Sequence, residues 1–199
     1  MGYALPKPKF SREDFIVWEN EQADKSEYLE GEVYAMVGVR DRHNEIALNL
    51  VQFIRPHLKG SPCRTYLSDI KLEVVSADAV FYPDLFVTCE SSSDPRVKRD
   101  AILLIEVLSP STEAYDRGRK FAAYRLLPGL QEYLLVSTDQ PLIEIYTRTG
   151  DAWLMREYRP GDHFKLASID LNLSVDDVFD EVDFRVQETE QTDMPNEAT

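Results

Sequence analysis

Phe81-Tyr82-Pro83-Asp84-Leu85-Phe86-Val87 and Ile102-Leu103-Leu104-Ile105-Glu106-Val107-Leu108 are the stretches that decide the fold. Both are nearly continuous apolar runs, the pattern of strands covered on both faces. Each holds a single charge, Asp84 in the first and Glu106 in the second. An ionised carboxylate in such surroundings costs roughly several kcal/mol unless it is paired or coordinated. If the strands are neighbours, both acids leave one face of the sheet, and two close carboxylates repel unless a proton or a cation lies between them. A hard divalent cation with oxygen ligands meets that demand. The competing reading of the same residues is a buried ion pair, to Lys120 or an arginine, or strand ends at which the carboxylates reach water.

Upstream, Ser11 with Asp14 marks a helix start, and a short amphipathic helix runs to about Glu21. Tyr28-Leu29 and Val33 to Val37 flank Glu30-Gly31, the pattern of a hairpin. Ile46, Ala47, Leu50, Val51, Ile54 and Leu58 recur at helical spacing, giving a helix from about Arg42 whose last turn Pro56 bends or ends. Ile70, Leu72 and Val74 alternate with Asp69, Lys71 and Glu73, which predicts a strand with one wet face lying towards an edge. The Phe81 to Thr88 and Ala101 to Leu108 runs are the central strands, separated by a polar loop from Glu90 to Asp100.

Downstream, Ser109-Pro110-Ser111-Thr112 stops the second run and offers a cap for a helix over Glu113 to Leu127, halted by Pro128-Gly129. Tyr133 to Val136, Ile143 to Thr147 and Trp153 to Tyr158 are further strands, the last two joined through Thr149-Gly150-Asp151. Helices interleaved with strands predict an α/β (α+β) chain with a central mixed β-sheet, flanking helices and additional hairpins.

At 199 residues and 43% apolar content, one domain over residues 1–184 is expected. Residues 185–199 are polar and acidic without apolar periodicity, so they are predicted to be a disordered tail. The net charge of -14 argues against phosphate contacts, but the stretch from Asp176 to Thr199 carries nine acids against Arg185 alone. Bases bunch at Arg96, Lys98 and Arg99 and again at Arg117, Arg119, Lys120 and Arg125, on either side of the paired acids. Taken singly, each cluster is an ordinary solvated face. No apolar run is long enough to span a bilayer and Met1 to Phe10 has no apolar core, so a cytoplasmic protein without a membrane partner is expected. Cys63 and Cys89 lack a C-x-x-C spacing and a nearby histidine cluster, and read as inert strand thiols. Neither a glycine-rich phosphate loop nor a Ser/His/Asp arrangement supports kinase or esterase chemistry.

Tyr82-Pro83-Asp84, then Ile105-Glu106-Val107-Leu108-Ser109-Pro110-Ser111-Thr112, then Asp116, Lys120 and Tyr124 at spacings of four, and Glu132-Tyr133, together resemble the Uma2 family of the PD-(D/E)XK nuclease superfamily. The resemblance extends from about Phe10 to Val182 and takes in Leu29-Glu30-Gly31-Glu32-Val33 and Arg42-His43. It implies a restriction-endonuclease-like core and a DNA substrate. The superfamily places a lysine two residues after the second acid, where this chain has Leu108; the resemblance implies that Lys120 supplies the ammonium instead. Read alone, Asp116 and Lys120 are an i,i+4 pair that supports a surface helix. His43, on the apolar stripe of its helix, and Glu32, sharing a strand face with Tyr34 and Met36, are accessory candidates. A packed core histidine and an ordinary surface acid are their plainer readings. His57, His163 and Lys71 read as surface residues.

The expected activity is Mg²⁺-dependent hydrolysis of DNA phosphodiesters, with Mn²⁺ as an alternative metal. Asp84, Glu106 and the backbone carbonyl of Val107 would hold the ion, and Lys120 would orient the attacking water or offset transition-state charge. A homodimer would place two sites on a duplex. The rival expectations are a catalytically silent nucleic-acid- or protein-binding module on the same fold, and a phosphohydrolase acting on small phosphates.

Overall fold

Tyr82-Pro83-Asp84 is where the chain leaves one sheet and enters another. In the computed structural model, which describes residues 11–184 apart from 37, 39, 92 and 93, the run read as a single strand is two: β5 (Ala79–Phe81) and β6 (Leu85–Thr88). Pro83 has no N–H to give a ladder, so the break falls there. The predicted acidic tail lies outside the described residues.

The six-stranded sheet has the order β11-β10-β9-β8-β6-β3, with β3 (Arg64–Leu67), β8 (Leu103–Leu108), β9 (Glu132–Ser137), β10 (Ile143–Thr149) and β11 (Ala152–Tyr158). Only β8 and β9 run parallel, so the sheet is mixed. The five-stranded sheet has the order β2-β1-β5-β4-β7, with β1 (Ser26–Leu29), β2 (Glu32–Ala35), β4 (Lys71–Val74) and β7 (Val97–Lys98). The β1–β2 turn uses Glu30 (φ 51°) and Gly31 (φ 83°), two left-handed residues in the arrangement that matches the twist of a two-residue hairpin.

One face of the six-stranded sheet packs Leu85, Val87, Leu103, Ile105 and Val107 against Ile46, Leu50 and Ile54 of α2 (Asp41–His57). That face is completed by the hairpin of β12 (His163–Leu166) and β13 (Leu171–Ser174) and by the short α5 (Val175–Val178). The other face packs Phe86, Leu104, Leu108, Tyr133 and Leu135 against the five-stranded sheet and a helical segment. That segment is built from α3 (Glu113–Tyr115), a π turn (Asp116–Lys120) and α4 (Phe121–Tyr124). The predicted helix is thus present, but interrupted by the wider turn that carries Asp116 and Lys120. The far side of the five-stranded sheet is covered by α1 (Arg12–Glu19), whose N-cap Ser11 accepts a hydrogen bond from the Asp14 N–H at 3.1 Å.

Three expectations are corrected. The Lys71–Val74 strand has no wet face: Lys71 is paired with Glu19 at 2.6 Å, and Glu73 with Arg12 and Arg99, so charges that alternate as on a surface strand are neutralised inside. Lys71 is accordingly a buried residue rather than a surface one. Cys63 and Cys89 form a disulfide, because the β3–β6 register sets Arg64 opposite Thr88 and so brings the flanking cysteines together from 26 residues apart. The polar loop contributes β7, which pairs in parallel with β4.

Candidate active site

The antiparallel β6–β8 register pairs Leu85 with Ile105 and Phe86 with Leu104; continued by one residue, it sets Asp84 opposite Glu106. Glu106 therefore emerges on the face shared with Leu104 and Leu108, towards the five-stranded sheet, and the Asp84 carboxylate lies beside it at the start of β6. The Asp84 N–H approaches Glu106 Oε2 at 3.3 Å, and the Val107 N–H donates to Asp84 Oδ2 at 2.8 Å. His43 Nε2, from the first turn of α2, lies 3.1 Å from the same Asp84 oxygen.

Around Glu106 the helical segment closes the site. Tyr124 O–H donates to Glu106 Oε1 at 2.8 Å. Lys120 Nζ is 3.0 Å from the same oxygen, 2.9 Å from Glu27 Oε1 and 3.6 Å from Asp116 Oδ1. Lys120 is buried with all three of those partners. The structure thus brings Asp84, Glu106, Lys120 and His43 together. Glu32 is placed elsewhere: it accepts from the Tyr34 hydroxyl at 2.6 Å and faces Arg119 at the rim.

Three carboxylates, Glu27, Glu106 and Asp116, consequently crowd one ammonium, and Asp84 stands beside Glu106. Burial pushes the Glu106 carboxyl well above the usual range; Lys120 counteracts this, while Asp84, Asp116 and Glu27 add to it. Burial also raises Asp116, against the pull of Lys120 and a hydrogen bond from Thr112. Burial alone would lower Lys120, but Glu106, Glu27 and the groups behind them hold it well above an ordinary lysine. The lysine keeps its proton, while Glu106 and Asp116 are pushed towards their neutral forms.

The donor set suits a hard cation. Asp84 Oδ2 is taken by Val107 and His43, so Oδ1 receives no hydrogen bond from any described residue. Glu106 Oε1 is taken by Tyr124 and Lys120, while Oε2 has only the long contact from the Asp84 N–H. The N–H and C=O of one strand residue leave on the same edge, so the Val107 carbonyl opens to the side on which its N–H meets Asp84. Among the described residues no three His, Cys, Asp or Glu side chains gather into a metal-ligand cluster. Two carboxylates and a carbonyl nevertheless fit Mg²⁺, which retains water and takes further ligands from substrate phosphates.

Sequence reasoning missed Glu27. Its signal was weak, a lone acid in Ser26-Glu27-Tyr28-Leu29 with Lys25 and Glu30 beside it, which reads as surface strand. The basic clusters are also less free than their spacing implies. Arg117 is bound by Glu113 and Glu144, Arg119 by Glu30 and Glu32, and Arg99 by Glu73. Lys98 is buried and donates to the Asp94 carbonyl.

Fold and site together define a restriction-endonuclease-like α+β protein with paired acids at the junction of its two sheets. A protein described as a "putative nuclease belonging to DUF820" from Anabaena variabilis shares this fold in its crystal structure, with a TM-score of 0.72 and 20% identity over 85% of this chain and 97% of that one. The family model described as "Uma2: Putative restriction endonuclease" matches residues 12–176, and the chain belongs to the Uma2 family. Two relatives come from Synechocystis sp.. The uncharacterized protein slr1290 is 40% identical over 88% of this chain and 94% of its own length. The uncharacterized protein sll1609 is 31% identical over 72% and 84% respectively.

Proposed function

We propose that this chain is a Mg²⁺-dependent nuclease, Mn²⁺ being able to substitute, that hydrolyses DNA phosphodiesters at Asp84, Glu106 and Lys120. The observation that carries the reading is the excess of buried carboxyl groups around one lysine, with Asp84 beside Glu106, Asp84 Oδ1 without a hydrogen bond from any described residue and Glu106 Oε2 held only by the 3.3 Å contact from the Asp84 N–H. The description of the Uma2 family and that of the Anabaena protein support it. Asp84, Glu106 and the Val107 carbonyl would hold the ion, which would supply Lewis-acid polarisation of the phosphate and lower the pKa of a water.

The remaining parts follow from the chain's own groups. The Val107 N–H and His43 fix the direction of the Asp84 carboxylate, and Tyr124 fixes that of Glu106. Lys120 stays charged beside Glu106, where its ammonium can orient the attacking water and offset the negative charge that builds on the phosphoryl oxygens.

The test is incubation of the purified protein with supercoiled and single-stranded DNA, with Mg²⁺ or Mn²⁺ and with chelator. Asp84→Asn and Glu106→Gln are each expected to lower the cleavage rate by about 10³-fold or more, and Lys120→Gln by about 10²-fold with metal affinity retained. Cleavage by Asp84→Asn at the wild-type rate would refute the reading. The tethering of Arg99, Arg117 and Arg119 to carboxylates favours a second reading, a small phosphate ester as substrate on the same site. A nucleotide hydrolysed in preference to plasmid DNA would decide for it.

A further inference from the structure

We propose that Glu27 is a positioning residue that aims the Lys120 ammonium and anchors the turn carrying Asp84; its consequence for catalysis rests on the nuclease reading. Glu27 Oε1 receives two hydrogen bonds, from Lys120 Nζ at 2.9 Å and from the Tyr82 N–H at 3.0 Å. One oxygen on β1 of the five-stranded sheet thus fastens both the lysine of the helical segment and the peptide two residues before Asp84.

Neutralisation does not account for this carboxylate. Lys120 already faces Glu106 and Asp116, and a third acid makes the cluster more negative. Nor does stability, because a buried ion pair is often no better than apolar groups of the same size. What Glu27 adds is direction. An ammonium has three N–H donors. Glu27 and Glu106 take two of them, at 2.9 and 3.0 Å, while Asp116 at 3.6 Å stands beyond hydrogen-bond reach. With two donors pinned by acceptors on different sheets, the third points in a fixed direction beside the paired acids. The same carboxylate holds Tyr82, so the lysine and the Asp84 turn keep one mutual geometry although they come from different elements.

Glu27→Gln preserves shape and can still accept from Tyr82 but loses the charge that holds Lys120; Glu27→Ala loses both. With DNA and Mg²⁺, Glu27→Gln is expected to lower kcat about tenfold while KM changes less than about twofold. Because it acts through the lysine, adding Glu27→Gln to Lys120→Gln should slow single-turnover cleavage by no more than about twofold further. In the protein alone, followed by NMR, the Lys120 ammonium protons should be protected from exchange in the wild type and lose that protection in Glu27→Gln. The Tyr82 amide should exchange about tenfold faster in Glu27→Ala yet stay protected in Glu27→Gln. Unchanged Lys120 and Tyr82 signals in Glu27→Ala, or a full tenfold further loss in the double variant, would overturn the proposal. Failure of the nuclease reading would look different, as a wild type that cleaves nothing while the NMR changes remain.

Discussion

Glu106 is the residue whose environment most opposes its charge. Burial, then repulsion from Asp84, Asp116 and Glu27, raises its carboxyl in the folded chain, and Lys120 offsets only part of this. In the unfolded chain the group would titrate near its ordinary value of 4.5. A carboxyl raised by folding contributes stability that is fully present below that value and is lost as pH rises through the folded-state value. Glu106→Gln is therefore expected to stabilise the metal-free protein at about pH 8 by about 1–2 kcal/mol, an advantage that shrinks towards zero near about pH 4. Urea unfolding at both pH values reads this. Glu27 and Asp116 remain to hold Lys120 in that variant, so it leaves no stranded cation. A less stable variant at the higher pH would contradict the charge-crowding account on which the metal site stands.

Among the elements, β3 depends most on a covalent link. Among the described residues it is an edge strand that pairs only with β6, and the Cys63–Cys89 disulfide closes the far end of that pairing. A cross-link between residues 26 apart restricts the unfolded chain, so replacing both cysteines by serine should cost about 2–4 kcal/mol. Chemical denaturation checks the loss, and amide exchange should accelerate first in Arg64–Leu67. Equal stability of the double serine variant and the oxidised protein would show that strand pairing suffices. The helical segment illustrates a different dependence. Its sequence has ordinary helical periodicity, yet the structure inserts a π turn at Asp116–Lys120, the position that faces both residues inward to the acids while leaving Arg119 outside. Such turns recur at functional sites, and here the turn carries Asp116 and Lys120.

Across the whole molecule, charge sets how the site can meet a polyanion. The net charge is -14, and Arg117 and Arg119, on the segment that carries Lys120, are already engaged by carboxylates. Each phosphate contact made by these arginines would have to break an internal ion pair, so few should form. Binding of an oligonucleotide, measured by anisotropy with Ca²⁺ replacing Mg²⁺, should therefore have a log–log salt slope shallower than about -3, since each contact contributes about -0.9. A slope steeper than about -5 would mean that a cationic surface away from these residues carries the binding.

The sequence by itself determined the features whose cause is local. Glu30-Gly31 dictates a tight hairpin because two successive left-handed residues turn the chain. The apolar stripe of α2 dictates a helix packed on a sheet. The lone acids of two apolar runs singled out Asp84 and Glu106 because a buried charge demands a partner wherever it lies. Tertiary structure decided which partners they have. Glu27 and Lys120 are 93 positions apart, Lys71 and Glu19 are 52, and nothing in a local pattern separates a charge neutralised across such a distance from one dissolved in water. The same holds for the cysteines, which only the β3–β6 register makes neighbours, and for Pro83, whose missing N–H marks a break but not that the next strand joins a different sheet.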